Sequence, residues 1–456
     1  MANHDKTYLF EQAPISRAVL TLSVPTILSS LVMVIYNLAD TFFVSMLGSS
    51  VENAAVTLVA PVMLAFNAVN NLFGVGASSM MSRALGRRDY DTVQRSSAFG
   101  FYCALFSGVL FSVLVSIFYE PLLTLLGADA ATSAATAAYM HWTVRLGAVP
   151  SILNVVMAYL FRAEGSTLHA SIGTMSGCAL NIVLDPIFIL PRGLDMGAAG
   201  AGCATFVSNC VACVYFLVLL AVRRGKTQVC IAPKKFTLRR DIVRGVCSVG
   251  VPASIQNLLN VTGMTVLNNF TALYEPSAVA AMGIAHKVTM IPMYISMGVG
   301  QGVMPLIGYN YASGNTQRMR GGFSFAAKLS LAFQAVATLL LCLFAPFVIR
   351  LFMDDVAIVT YGAAFLRGFA LAQPFLCLDF LVVGVFQACG MGGTSLLFAV
   401  LRKVVLEIPA LFLLEHFFPL YGLAYAQLCA EVVLAAVATV MLLRLFRRLE
   451  RQKKWQ

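Results

Sequence analysis

The sequence predicts an all-α membrane protein: twelve transmembrane helices in two six-helix lobes, related by a pseudo-two-fold axis along the membrane normal. Three observations predict it: scarce charge, a succession of apolar runs each long enough to cross a bilayer, and a repeat that carries the first half of the chain onto the second. Of the 456 residues, 59% are hydrophobic and only 11% charged. A water-exposed domain needs about 25% charged residues on average, so most of this surface must face something other than water. The mean hydropathy of +0.83 agrees.

A spanning helix needs about 20 apolar residues. Runs meeting that need lie near 18–45, 54–82, 96–118, 131–160, 167–190 and 199–222, then near 245–273, 277–308, 323–351, 358–388, 394–417 and 421–446. The count is least secure at 394–417. Charge placement supports an even number. With twelve spans, one side collects Lys6, Arg17, Arg83, Arg87, Arg88, Arg95, Arg162, the eight Lys/Arg from Arg223 to Arg244, Arg318, Arg320 and the tail cluster beginning at Arg444. The other side carries Arg192 and Arg350 among acids such as Glu52, Glu120, Asp129, Asp195, Asp354 and Glu415. Positive charge is retained on the cytoplasmic side, so both termini are expected in the cytoplasm. No cleavable leader is expected, because the first apolar run is too long and lacks a small-residue cleavage site.

The net charge of +11 is thus a topology signal rather than a nucleic-acid footprint, since the basic residues form no stripe with interleaved aromatics. The eleven Cys are scattered through apolar runs, which argues against a disulfide framework. Cys210 and Cys213 read as packing residues. No Walker motif occurs, and neither Gly-x-Gly (74–76, 390–392) follows a strand, so no nucleotide fingerprint is present.

The repeat is read from matched residues. Phe161-Arg-Ala-Glu-Gly165 returns as Phe386-Gln-Ala-Cys-Gly390, and the same offset of 225 carries Pro121 to Pro346 and Asp129 to Asp354. Ser-Val-Pro25 matches Gly-Val-Pro252 at an offset of 227, and the turn at Gly86 pairs with that at Gly314. Six spans per half is even, so the halves share an orientation. Parallel repeats of this kind are a transporter architecture. The expected domains are an N-lobe, 1–232, and a C-lobe, 233–456, joined by a basic cytoplasmic linker near 223–244.

An ionisable residue inside a membrane helix is a functional candidate, because desolvating it costs at least about 2.5 kcal/mol at the bilayer centre. Asp40 in span 1 and Asp185 in span 5 are the first such residues. At ~1.5 Å rise per residue, Asp40 and Asp185 lie about 6 and 8 Å inside the outer ends of their spans, and Thr205 of span 6 lies about 9 Å inside. Asn181 shares the face of Asp185 at i, i+4. The cluster suits either a proton, held by a carboxylate in a low-dielectric site, or a hard cation such as Na⁺; the residues leave both open. The competing reading is that each carboxylate only satisfies a buried hydrogen bond. The repeat argues against it, since Asp40, Asn181 and Asp185 map to Leu267, Leu406 and Ala410. The second half keeps the scaffold without the acids.

Tyr139 and Asn154 of span 4 are candidates for the first-half cavity, with structural hydrogen bonding as the alternative. Asp379 in span 10 is the candidate replacement for the missing acids. Arg402, Lys403 and Glu407 in span 11 are expected to pair with one another. Glu431, Arg367, Arg145 and Lys287 are left open, and the histidines show no metal spacing. Met and aromatic residues suit a cavity for varied apolar ligands.

Leu22-Ser-Val-Pro25, Tyr36-Asn-Leu-Ala-Asp40-Thr-Phe-Phe-Val44, Phe161-Arg-Ala-Glu-Gly165, Asn181-Ile-Val-Leu-Asp185-Pro-Ile-Phe-Ile189 and Pro305-Leu-Ile-Gly-Tyr-Asn310 together resemble the multidrug and toxic compound extrusion (MATE) family, especially its bacterial MepA-like branch. The likeness spans the whole chain, and Tyr-Asn-x-x-Asp with Asn-x-x-x-Asp-Pro is its specific pairing. It implies a two-lobed fold that exports drugs against H⁺ or Na⁺ influx. It implies an N-lobe cation site of Asp40, Asn181, Asp185 and Thr205, with Tyr139 and Asn154 nearby, and a responsive bend at Pro25. Residues assigned to the substrate cavity are Pro25, Tyr36, Asn37, Tyr139, Asn154, Gln256 and Asp379. Span 7 lacks the acid of the NorM-like branch, which puts a C-lobe site of that type in doubt.

The expected function is a secondary antiporter in a bacterial cytoplasmic membrane, exporting amphipathic, cationic compounds with no cofactor beyond the coupling ion and no nucleic-acid partner; monomer is the family expectation. A lipid-linked saccharide flippase is the alternative within transport, and Arg145, Lys287 and Arg367 keep it open. A membrane enzyme would need acids or histidines clustered in loops, and a channel would need a filter-like segment. Neither is visible.

Overall fold

The computed structural model describes residues 8–454; Lys6, counted above among the cytoplasmic charges, lies outside them. The described residues contain helices and no strand, as expected where a bilayer offers the backbone no hydrogen-bonding partner. After a helical turn at 8–11, the long helices are α1 (Ile15–Ser45), α2 (Ser50–Gly86), α3 (Tyr90–Ile117), α4 (Ser133–Leu146 and Ala148–Ala163), α5 (Thr167–Ile189) and α6 (Gly197–Val222). The second half follows with α7 (Arg240–Thr271), α8 (Pro276–Ala312), α9 (Thr316–Leu343), α10 (Val356–Ala388), α11 (Gly392–Val400, Leu401–Glu407 and Ile408–Phe417) and α12 (Tyr421–Lys454).

Ten of these are long and apolar enough to cross a membrane, and α4 makes eleven if its two pieces, bent by 50° at Gly147, count as one span. By length and apolarity alone, ten or eleven of these twelve helices qualify as spans. The difference is α11, which is helical throughout but carries Arg402, Lys403 and Glu407 in its middle. A second departure concerns the ninth run. Sequence merges 323–351 into one element, whereas α9 ends at Leu343 and a separate helix occupies Ala345–Arg350 with Pro346 in its first turn. Proline lacks the N–H needed to continue a preceding helix.

Local geometry repeats along with the sequence. Asp89 caps α3 by accepting from the Thr92 N–H at 3.1 Å, and Asn315 caps α9 by accepting from the Arg318 N–H at 3.1 Å. The residue before each cap is left-handed, Arg88 at φ 59° and Gly314 at φ 74°. The equivalent of Gly314 is therefore Arg88, two residues beyond the Gly86 expected from sequence, because the backbone conformation recurs and the glycine does not. Gly165 and Gly390, both at positive φ, close α4 and α10 as the repeat requires. Short helices at Tyr119–Leu125 and Ala345–Arg350 occupy equivalent places after α3 and α9.

The chain forms two compact units. Among the described residues one comprises 28–254, and the other comprises 8–27 with everything from Ile255 onward. This division differs from the contiguous 1–232 and 233–456. The switch falls inside α1, two residues after Pro25, and inside α7, two residues after Pro252, at equivalent positions of the repeat. Its local cause is close backbone packing by small residues, which bilayer helices use in place of a hydrophobic drive. In the second unit a Cβ on Gly302 of α8 would strike Ser23 of α1, and the Thr26 hydroxyl donates to the Gly298 carbonyl at 2.6 Å. In the first unit a Cβ on Gly76 of α2 would strike Val246 and Gly250 of α7, and Ser254 donates to the Ala68 carbonyl at 2.6 Å. Large apolar side chains such as Phe106 and Ile117 stay exposed on the outside of these helices, a pattern a water-soluble surface rarely shows.

Candidate functional site

In the first unit, α1, α4, α5 and α6 bring six polar side chains together. Asp185 is fully buried and Asn181 nearly so, one turn apart on α5. With its nitrogen facing Asp185, the Asn181 amide donates to both carboxylate oxygens at 2.9 and 3.2 Å. Its oxygen then accepts from the Thr205 hydroxyl at 3.2 Å and the Thr205 N–H at 3.0 Å. The reverse orientation would set the amide oxygen against acceptors, so the network itself selects this one.

Tyr36 of α1 hydrogen-bonds Thr205, which joins α1 to α6. Asp40 lies one turn beyond Tyr36 and is close enough to Asp185 for the two carboxyls to interact electrostatically. The buried Tyr139 of α4 is close to both. Asp40, Asn181, Asp185 and Thr205 therefore meet as their spacing predicts, and Tyr36 and Tyr139 complete the cluster. The groups offered are two carboxyls, one amide and three hydroxyls, all hard oxygen or amide donors able to hold a proton or an alkali cation.

The other expected cavity residues lie elsewhere. Asn37 is exposed on α1. Asn154 is buried and donates its amide to the Pro150 carbonyl of its own helix at 2.8 Å and to Asn209 Oδ1 of α6 at 3.0 Å, the second bond tying α4 to α6. Gln256 sits in the second unit, where Gln387 Nε2 donates to its Oε1 at 3.2 Å and also to Ser395 Oγ at 3.0 Å. Pro25 lies within α1, on the side of the unit switch that packs with the second unit.

Asp379 is buried in the second unit, with Arg402 and Glu431 as its ionic neighbours. Sequence expected Arg402, Lys403 and Glu407 to pair with one another. Only Lys403 and Glu407 do, with Lys403 Nζ at 2.6 and 2.8 Å from the carboxylate oxygens. Arg402 instead turns toward Asp379 and Glu431. Adjacent side chains on a helix face different ways, so the consecutive Arg402 and Lys403 of the π-helical turn Leu401–Glu407 meet different partners. Glu431 is one of the four residues sequence reasoning left open; its signal was an acid well inside an apolar run. Among the described residues no group of three or more His, Cys, Asp or Glu could hold a metal ion.

These features define a multi-pass helical membrane transporter built as an internal repeat, with a polar cluster in one unit. Comparison with known families makes the class particular. The family described as MatE matches over residues 25–187 and again over 252–413, one match per repeat, and the chain belongs to that family. It is 32% identical over 443 residues to the multidrug export protein MepA of Staphylococcus saprophyticus, covering 96% of both chains. It is 32% identical over 448 residues to MepA of Staphylococcus aureus strain MRSA252, again with 96% of each covered. A solved multidrug resistance MATE family transporter of the MOP superfamily, in its outward-facing conformation, superimposes with a TM-score of 0.91 at 26% identity, covering 97% of this chain and 98% of the other.

Proposed function

We propose that this protein is a secondary multidrug antiporter that exports amphipathic, cationic compounds in exchange for H⁺ or Na⁺. The observation that carries the reading is the cluster of Asp40, Asp185, Asn181, Thr205, Tyr36 and Tyr139, whose acids have no counterpart at the repeat-equivalent Leu267 and Ala410. The multidrug export activity named for its relatives supports the substrate class. In this reading the two carboxyls take up the coupling cation when the cluster is open to the outside, and the change in local charge weakens binding of a cationic substrate. Release of the cation on the cytoplasmic side restores the substrate-binding form. The Asn181 amide and the Thr205 and Tyr36 hydroxyls orient the carboxyls, so that each cation event is felt by α1, α5 and α6 together.

The topology belongs to the same proposal. The chain sits in a bacterial cytoplasmic membrane with both termini inside, α11 counts as a twelfth span with its charges turned into the second unit, and the functional form is a monomer. The flippase alternative finds less support, because the Arg145 and Arg367 guanidiniums are engaged locally, donating to Ser116 Oγ and the Cys342 carbonyl.

Ethidium efflux from cells tests the cluster. Asp40→Asn and Asp185→Asn should each reduce efflux to the level of cells lacking the protein at normal expression, and unchanged efflux in both would overturn the mechanism. Proteoliposomes with an imposed pH or Na⁺ gradient then identify the ion. Drug movement indifferent to both gradients would exclude antiport.

A further inference from the structure

The second unit holds three charged side chains that the proposed antiport does not use. Asp379 (α10), Arg402 (α11) and Glu431 (α12) are 1%, 2% and 0% exposed. Arg402 Nε lies 3.2 Å from Glu431 Oε1, and Arg402 Nη2 lies 3.8 Å from Asp379 Oδ2. The guanidinium also stands over the Phe380 ring, 5.0 Å from its centroid. The Asp379 and Glu431 carboxyls are within hydrogen-bonding reach of each other. Taken as carboxylates, all four of their oxygens lack a hydrogen-bond donor, and so do Arg402 Nε and Nη2 lack acceptors.

Charge and hydrogen bonding lead to the same requirement. A guanidinium keeps its proton under all ordinary conditions. It therefore neutralises one buried carboxylate and leaves the other as an uncompensated charge away from water, a strongly unfavourable arrangement. Two carboxylates face to face also offer only acceptors. One proton placed between them removes both problems: the carboxylic acid O–H donates to the neighbouring carboxylate, and the guanidinium balances the single remaining negative charge.

We propose that Asp379 and Glu431 form a proton-binding site that holds one proton between the two carboxyls under the guanidinium of Arg402, separate from the Asp40/Asp185 cluster. Besides these two partners, the nearby titratable group that Asp379 influences is Cys377, two residues away on the same helix. The site does not depend on drug antiport being the activity, since protonation here follows from burial and charge balance.

The test is the infrared carboxyl spectrum of the purified full-length protein at neutral pH, in an Asp40→Asn/Asp185→Asn background that silences the first cluster. The C=O stretch of a protonated carboxyl is separate from carboxylate bands and shifts in heavy water. The background protein should show one such band. Asp379→Asn and Glu431→Gln should each abolish it while leaving one carboxylate paired with Arg402, which keeps the charge balanced and the fold intact. Arg402→Met should roughly double the band, because both carboxyls must then be protonated; the two amide variants stand alone if that protein does not fold. Absence of the band in the background, or its survival in both amide variants, would overturn the proposal. Neither outcome bears on ethidium efflux, so this proposal and the antiport reading fail separately.

Discussion

A single side chain in this protein is read by what surrounds it. Asp40 and Asp185 were detectable because acids are rare in apolar runs and because their repeat equivalents are apolar. Asn181 and Thr205 were detectable because helical spacing and depth put them beside the acids. Tyr36 was reached only through a family motif, since a tyrosine in a membrane helix has no charge to betray it. Asp89 illustrates the opposite end of the scale, an exposed acid with a plain structural task. Hydrogen bonds from the Thr92 hydroxyl and N–H hold its carboxyl below the usual range. A lowered carboxyl contributes stability that is complete above the unfolded value of about 3.9 and is lost as pH falls below it. Asp89→Ala should therefore cost about 1 kcal/mol in detergent-solubilised thermal denaturation at neutral pH. The gap to the parent should close as the pH drops below about 4. A gap that persists in acid would show that the cap acts through packing instead.

Helices supply the next level of control, and here glycine placement discriminates. Gly250 on α7 and Gly302 on α8 sit where an added Cβ would meet backbone of the packed helix, whereas Gly283 and Gly384 face open space. Backbone cannot yield as a side-chain tip can, so Gly250→Ala and Gly302→Ala should lower stability by about 1–3 kcal/mol, the usual cost of overpacking. Gly283→Ala and Gly384→Ala should be neutral or stabilising by up to about 1 kcal/mol, from helix propensity alone. The recovery of monodisperse protein after mild heating measures all four, and equal behaviour of the two pairs would refute the packing argument. The pairing in α11 is likewise an element-scale effect. Sequence saw three charges within two turns and paired them locally, but adjacent positions on a helix face different ways, and the face of Arg402 is the one that meets α10 and α12.

At the scale of the whole molecule, the fold couples segments that sequence treats as belonging to different halves. Because 8–27 packs with the second unit and 240–254 with the first, neither 1–232 nor 233–456 carries a complete unit by itself. Expressed alone, each fragment should fail to give a monodisperse species, and co-expression of the two should restore both a stable complex and ethidium efflux. A well-behaved 233–456 fragment lacking the first helix would contradict this division.

The sequence by itself determined the class, the order of the helices though not all of their ends, the repeat and the identity of the four residues at the heart of the candidate site. These rest on short-range regularities: apolar run length, charge bias and one-turn spacing. Tertiary structure alone decided where α1 and α7 change units, how Arg402 and Lys403 part company, and that Asp379 meets Arg402 and Glu431. Each of those depends on which backbones approach closely and which charges must be neutralised in the same buried space. Those constraints act between residues hundreds of positions or several helices apart, where periodicity carries no information.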